Sequence, residues 1–446
     1  MLPCPSALVT DLYELTMAAA YFESNFEATA TFDLFVRSLP QDRGYLIFVG
    51  LEQALAFLEQ VRFKPEEIEF VRSHPMFVHI SPDFFEYLAN FKFTGEVWAM
   101  REGTPVFGEE PLIRVTAPII EAQLVETFLL NSIAFPTMVA TKAARLVEAA
   151  QGRGVIEFGT RRAHGAEAGL LAARASYIGG CMGTSNVEAG YRFGIPTYGT
   201  VAHSFVMSYE DEGEAFRRFS EIYPEQSILL LDTYNVQRAV EKIVALGLRP
   251  KGVRLDSGDL AAQSKIVRAM LDRAGLNDTK ILASGDLDEF IITRMLAQQA
   301  PVDVFAVGTA LVTSKDAPSL GAVYKLAELE QEGKSRYTAK LSEDKATYPG
   351  KKQVFRYADP DGCYQRDVIG REGERHDGAE ALLAPVMRDG RQLSAGPSLD
   401  EIRDHVARSL HRLPSKYREL RNAPKYPVSY TEGLRDLFAT VQRDAG

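Results

Sequence analysis

Residues 252–260 read Gly252-Val253-Arg254-Leu255-Asp256-Ser257-Gly258-Asp259-Leu260, and the fold turns on how they are read. A short, largely apolar run carrying one arginine and ending in a Ser-Gly turn predicts a strand end and its exit loop. On a strand, Arg254 and Asp256 project to one face two residues apart, so a cation and a carboxylate look into the same space. Taken alone, the segment is equally well a strand-edge ion pair before an ordinary turn. Its recurrence along the chain is what favours a site.

Outward from this segment, short apolar runs occur at residues 155–158, 177–179, 197–199, 228–231, 281–284 and 302–307. They lie about 20 to 30 residues apart with helical patterns between them, the spacing of βα units on a parallel sheet. An eighth candidate stands at 321–326. Such a series predicts an irregular α/β barrel, with an open doubly wound sheet as the alternative that periodicity leaves open. Polar residues gather at the C-terminal ends of the runs: Gly159-Thr160-Arg161-Arg162, Gly183-Thr184-Ser185-Asn186, Gly199-Thr200, Asp232-Thr233-Tyr234-Asn235, Asp256 to Asp259, Ser284-Gly285-Asp286 and Gly308-Thr309. In parallel barrels these ends form the rim that carries a site.

The flanks read differently. Residues 1–115 predict an α+β region, with helices at 8–22 (Thr10 or Asp11 as N-cap), 51–60, 65–73 and 82–91, and strands at 29–37, 96–100 and 111–116. A long helix over 121–151 is expected to break at Pro136. Residues 327–446 predict strands at 336–341, 353–357 and 364–369, a hairpin turn at 359–362, a capping box at Ser398 to Glu401 and a terminal helix at 431–443. The expected domains are therefore 1–115, a barrel over 116–326, and 327–446 folding back onto the first.

Composition narrows the function. The 446 residues are 46% hydrophobic and 25% charged, as in a soluble globular protein with about two or three cores. A formal charge of −10 and a pI near 5.4 argue against general nucleic-acid or anionic-membrane binding, while leaving room for a locally basic pocket. Cys4, Cys181 and Cys363 form no CxxC pair, which excludes a zinc ribbon or disulfide framework and fits a reducing compartment. Asp11 and Glu14 interrupt the first apolar stretch, no basic segment precedes it, and no run of about 18 apolar residues follows. A cytoplasmic protein without nucleic-acid or membrane partners is expected.

No HExxH, EF-hand loop, GxSxG elbow or helix-opening GxGxxG is present, and Gly333-Lys334-Ser335 lacks the earlier glycine of a P-loop. The rim instead combines Arg161, Arg162 and Arg254 with Asp232, Asp256 and Asp286. Gly308-Thr309 stands where barrels commonly hold phosphate, and Gly285-Asp286 suits a Mg²⁺-bound polyphosphate. His203, just past a strand end, is a candidate phosphoryl-accepting nucleophile whose tautomer Asp232 could fix; His164 is a second, weaker candidate. For any one glycine, turn geometry is explanation enough, and a lone histidine is more often structural.

Taken in order, these motifs resemble the nicotinate phosphoribosyltransferase family. The residues that carry the resemblance are Thr10-Asp11-Leu12-Tyr13, Glu157-Phe158-Gly159-Thr160-Arg161-Arg162, Gly183-Thr184-Ser185-Asn186, Gly199-Thr200-Val201-Ala202-His203-Ser204, Leu231-Asp232-Thr233-Tyr234-Asn235, residues 253–260, Gly308-Thr309 and Pro349-Gly350-Lys351-Lys352. They span almost the whole chain. The resemblance implies a type II phosphoribosyltransferase barrel with an α/β sandwich built from both chain ends, and a head-to-tail homodimer with shared active sites. It implies transfer from 5-phosphoribosyl 1-diphosphate to nicotinate, giving nicotinate mononucleotide and diphosphate in NAD salvage. Mg²⁺ and ATP are implied too, with ATP hydrolysis coupled through a phosphohistidine at His203.

On the matching positions, Tyr13 (offered by the partner subunit) and Phe158 would sandwich the pyridine ring. Arg254 would bind its carboxylate, with donors from Thr184, Ser185 and Thr200. Arg161, Gly285, Asp286, Gly308 and Thr309 would hold the ribose phosphates, Asp286 also through Mg²⁺. Asp256 would orient the ring or offset positive charge on the ribose. Arg37, Lys340, Lys351 and Lys352 are candidates for ATP binding from the neighbouring subunit. Nicotinamide-using relatives carry an acidic residue where this chain has Ser185. A carboxylate there would repel nicotinate, whereas a hydroxyl can donate to it, a difference of about 1–3 kcal/mol. The nicotinamide enzyme and a non-catalytic nucleotide or phosphate sensor are the alternatives.

Overall fold

The computed structural model describes residues 5–342 and 345–445; Cys4 lies outside them. The chain divides into two compact units, Met1–Met138 with Ser319–Gly446, and Val139–Pro318. The expected barrel limits of 116 and 326 therefore move inward, because residues 116–138 and 319–326 belong with the first unit.

The second unit is built on six parallel strands in the order Gly183–Thr184, Gly154–Glu157, Val304–Val307, Lys280–Ala283, Gly252–Leu255 and Ile228–Leu230. A single parallel bridge from Thr184 to Thr197 extends it. Among the described residues no pairing joins Thr197 back to Ile228–Leu230, so the barrel is irregular. In-register neighbours share a face. Leu282 pairs with Arg254 on one side and Val304 on the other, and Ile156 pairs with Ala306. Ile156, Leu282 and Ala306 accordingly form one buried cluster, with Phe158, Met182, Tyr198 and Val304 packed on it. Burying each larger side chain contributes about 1.5–3 kcal/mol.

Part of the polar content of the exit loops is helix capping. Asn186, Asn235, Asp259 and Asp288 accept from the backbone N–H of Ala189, Arg238, Ala262 and Ile291 respectively, which satisfies donors the helix start leaves open.

Four local expectations are corrected. Residues 177–179 are not a strand: they end the helix Ala166–Ile178, and Gly180 at φ 108° terminates it, so the strand is Gly183–Thr184 itself. Residues 197–199 contribute only the bridge at Thr197. The segment 321–326 is no barrel strand, because Ala322–Gln331 pairs antiparallel with Thr29–Val36. The helix Glu126–Ala149 runs through Pro136, and the break falls at Val125. Pro136 leaves the carbonyl of Ser132 without its helical donor. That oxygen packs against Gly50, where a Cβ would lie 2.0 Å away, so a glycine is required there.

The first unit centres on a seven-stranded sheet in the order Lys334–Tyr337, Ala322–Gln331, Thr29–Val36, Pro111–Pro118, Glu96–Met100, Leu383–Arg388 and Arg391–Gln392. A four-stranded sheet holds Ala379–Ala381, Lys352–Ala358, Tyr364–Arg371 and Val428–Tyr430. Both chain ends thus build one unit. The capping box at Ser398 and Glu401 opens Leu399–Arg412 as expected. One stretch, Ile119–Ala149, is long and apolar enough to cross a membrane, but 72% of its most apolar window is buried in the protein, as in a core helix.

Candidate active site

Arg254 organises the rim of the barrel. Its guanidinium donates from Nε to Ser284 Oγ at 2.8 Å, from Nη1 to Thr200 Oγ1 at 2.9 Å and from Nη2 to Asp256 Oδ1 at 2.5 Å. The side chain is 11% exposed, and its Cζ lies 5.9 Å from the centre of the Phe158 ring. A planar cation is thereby fixed from three sides beside an aromatic face.

Burial would raise the Asp256 carboxyl, but the Ser284 hydroxyl, the charge and hydrogen bond of Arg254, and His203 outweigh it and hold the group below the ordinary aspartate value. Ser284 Oγ lies 2.5 Å from Asp256 Oδ1. Gly285 (φ 88°) turns the loop so closely over Asp256 that a Cβ would sit 2.0 Å from its carbonyl oxygen.

Asp232 does not orient His203. Its Oδ2 accepts from the Asp256 N–H at 3.0 Å and the Ser257 hydroxyl at 2.5 Å. His203 Nδ1 instead lies 3.1 Å from Thr233 Oγ1, and Nε2 lies 3.8 Å from Asp256 Oδ2. The side chain of His203 is 42% exposed. His203 starts the helix His203–Met207, which aims it across the Asp256 loop rather than down the Asp232 strand.

Thr184 is a second correction. Glu157 and Thr184 are register partners, so their side chains share a face. The Thr184 hydroxyl donates to Glu157 Oε2 and accepts from the Asn186 N–H at 2.9 Å. The backbone N–H groups of Thr184 and Ser185 go to Pro196 O and Glu157 O. The fully buried Thr184 has no donor left for a ligand, and Thr200 Oγ1 accepts from Arg254 while donating to Val201 O at 3.3 Å, so the Ser185 hydroxyl is what this part of the rim can offer. Burial raises the Glu157 carboxyl, partly offset by Thr184 and by the Gly159 N–H.

Gly159 lets two exit loops meet: a Cβ there would lie 2.3 Å from Val312 Cγ1 and 2.8 Å from Gly308 O. Gly308-Thr309 opens the short helix Thr309–Val312. Arg161, His164 and Asp286 are exposed, Asp286 at φ 37°. Tyr13 lies on Leu12–Glu23 in the other unit, 46% exposed, its phenol pushed up by burial and then by Glu126.

Residues not singled out from sequence include Ser284, Thr233, Ser257 and Glu157. All four lie inside the quoted motifs, so their positions were visible but their partners were not. Among the described residues no group of three metal-ligating side chains occurs. The Asp232 Oδ1 atom is buried without a hydrogen-bond partner, and such a carboxylate oxygen fits a divalent cation that arrives with its own phosphate ligands. In the first unit, Arg37 and Lys352 line a cavity of about 440 Å³. Lys352 is engaged there, 2.7 Å from Asp33 Oδ2 and donating to Tyr348 O at 2.6 Å and Gly350 O at 2.8 Å. Its charge is paired with the buried Asp33 and two of its protons go to carbonyl oxygens, which removes it as a free cation for ATP.

A parallel barrel with an arginine-carboxylate rim is an α/β architecture, and comparison with known proteins makes it one of the phosphoribosyltransferase type. Residues 8–134 match the nicotinate phosphoribosyltransferase N-terminal domain, 139–317 the quinolinate phosphoribosyl transferase C-terminal domain, and 375–438 the nicotinate phosphoribosyltransferase C-terminal domain. A nicotinate phosphoribosyltransferase of Mycobacterium tuberculosis is 44% identical over 444 residues, covering 98% of this chain and 94% of the relative. One from Bacillus subtilis is 39% identical over 96% of this chain and 93% of its own. The crystal structure of human nicotinic acid phosphoribosyltransferase superposes with a TM-score of 0.86 at 30% identity, covering 97% of this chain and 99% of that one. The chain belongs to the nicotinate phosphoribosyltransferase family.

Proposed function

We propose that this protein transfers the phosphoribosyl group of 5-phosphoribosyl 1-diphosphate to nicotinate, with ATP hydrolysis coupled through a phosphohistidine at His203. The observation that carries the reading is the Arg254 fork beside the Phe158 ring. A pyridine carboxylate needs a planar cation at the end of an aromatic slot, and Arg254 is held in that geometry by Thr200, Ser284 and Asp256. Ser185 favours the acid over the amide, for the reason given by its chemistry.

In the reaction the pyridine nitrogen forms a bond to the ribose C1 while the C1–O bond to diphosphate breaks; positive charge develops on the ribose in the transition state and ends on the pyridinium nitrogen. Asp256, kept ionised by its neighbours, supplies negative potential to that charge. Asp232 holds the Asp256 backbone and offers Oδ1 to Mg²⁺. Mg²⁺, when bound, neutralises diphosphate charge. Arg161, Gly285-Asp286 and Gly308-Thr309 stand as the phosphate-holding groups. In the tautomer that donates Nδ1–H to Thr233, the His203 Nε2 keeps its lone pair, and its exposure admits a phosphoryl donor. The P–N bond then forms as the bond to the leaving ADP breaks.

Exposed apolar side chains border this rim: Tyr191 at 90%, Val187 at 77%, Tyr234 at 64% and Met207 at 61%. They support a homodimer in which a second subunit covers the site and offers its Tyr13. A role in NAD salvage follows from the substrates. The test is nicotinate mononucleotide formation with and without ATP, beside a nicotinamide control. ATP-stimulated turnover of nicotinate alone is expected. Turnover of nicotinamide would overturn the Ser185 argument, and turnover of neither base, with ATP still bound, would favour the sensor.

A further inference from the structure

A buried charge cluster lies behind two of the rim loops. Lys142 and Arg145, three residues apart on the helix Glu126–Ala149, share one face. Lys142 Nζ lies 2.5 Å from Glu289 Oε2 and 2.6 Å from Asp316 Oδ1, and Arg145 Nε lies 3.0 Å from Glu289 Oε1. The side chains of Lys142, Arg145 and Glu289 are 2%, 1% and 0% exposed.

Their places in the chain give the cluster its meaning. Glu289 is the first residue of Glu289–Ala297, directly behind the Ser284-Gly285-Asp286 loop, and the Asp288 cap before it accepts from Ile291 N–H at 2.7 Å. Asp316 closes the turn after Thr309–Val312, where Lys315 N–H donates to Ala310 O at 3.1 Å and Ala317 N–H to Ser314 O at 2.7 Å. Lys142 therefore ties the end of the loop after Lys280–Ala283 to the turn behind the short helix Thr309–Val312, which follows the neighbouring strand Val304–Val307. Those strands pair directly only at Leu282 with Val304 and Ala283 with Phe305. Beyond that pairing, the bridge joins the loops through side chains.

Buried ion pairs add little net stability over apolar residues of similar volume, so stability alone is a poor account of this one. We propose that Lys142 is a positioning residue that fixes the separation of the Gly285-Asp286 and Gly308-Thr309 loops, and so the affinity for the diphosphate-bearing phosphoribosyl donor. This rests on the phosphate-holding role assigned to those loops above.

The test compares Lys142→Met, Lys142→Arg and the double variant Lys142→Met/Asp316→Asn, which keeps the Arg145–Glu289 pair, leaves no carboxylate stranded by the loss of Lys142 and guards against simple unfolding. Calorimetry measures binding of the donor directly, and kinetics give KM for donor and nicotinate separately. The expected result is a rise of about tenfold or more in donor Kd and KM for both Met-containing variants, nicotinate KM within about twofold, and partial recovery in Lys142→Arg. Folded Met variants with unchanged donor affinity would overturn the proposal, as would equal losses for both substrates. If the wild type binds donor but turns over neither base, the nicotinate reading fails while the binding comparison still decides this one.

Discussion

Two arginine–aspartate pairs, one in each unit, use the same chemistry to different ends. On the barrel rim, Arg254 and Asp256 are 11% and 26% exposed, and the arginine divides its fork among three partners beside Phe158. In the other unit, Arg356 and Asp367 are 1% and 0% exposed. There Arg356 gives Nε to both oxygens of one carboxylate and Nη2 to Oδ2, between the Phe107 and Tyr364 rings. The first pair keeps a wet edge where a ligand can enter; the second is closed. Each unit also carries a telling histidine. His203 is half open beside Asp256. His405 is pushed down to about 4, first by burial and then by Arg101, Arg408, Arg356 and Arg412. Exposure, not residue type, separates chemistry from scaffolding here.

The sharpest break in this comparison is His203→Ala. It should abolish ATP hydrolysis and leave slow, uncoupled transfer, and retained ATPase activity would remove the phosphohistidine from the scheme. Arg356→Met should act on the scaffold alone. It strands Asp367 beside Glu110, whose carboxyl burial and Asp367 already push well up, and should cost about 3–5 kcal/mol of unfolding free energy. Denaturant titration measures the loss, and nicotinate KM in the folded fraction should stay unchanged. Arg254→Ala reverses the pattern. Losing a charged hydrogen bond worth about 1.5–3 kcal/mol should raise nicotinate KM about 10- to 150-fold, with the donor KM nearly constant and a smaller loss of stability than Arg356→Met, because Asp256 is open to water.

The smallest expected effect is a pH dependence. The Thr104 hydroxyl donates to Arg101 O at 2.7 Å, so the His405 Nε2–H donates to Thr104 Oγ1 at 3.1 Å and the ring is neutral. Its folded pKa of about 4 lies below the ordinary value of 6.5. The contribution of neutral His405 is therefore fully present above about 6.5 and is lost as pH falls through 4. Melting curves of the wild type and His405→Gln should converge or cross over that range, and a constant difference would refute the buried neutral ring.

Much of this was legible beforehand, for a definite reason. Strand parity put Arg254 and Asp256 on one face, and they bond to each other. The hairpin turn before Tyr364–Arg371 and the Ser398 capping box depend on neighbours in sequence, and both formed as read. What failed depended on partners distant in sequence. Asp232 and His203 are one βα unit apart, yet Asp232 serves the Asp256 loop and His203 meets Thr233. The Thr184 hydroxyl looked available until its register partner proved to be Glu157. The run at 177–179 has a strand's composition but ends a helix, because Gly179 and Gly180 close it after Ile178.

By itself the sequence determined the series of strand ends, the polar residues on them and the family those residues resemble, because periodicity and turn chemistry act over a few residues. Only the tertiary structure decided which of those residues share a partner. Register between strands, the placing of Ala322–Gln331 outside the parallel sheet, and the engagement of Lys352 by Asp33 all arise from contacts between distant segments. A side chain's chemistry is finished only when its last hydrogen bond is assigned, and that assignment belongs to the packed fold.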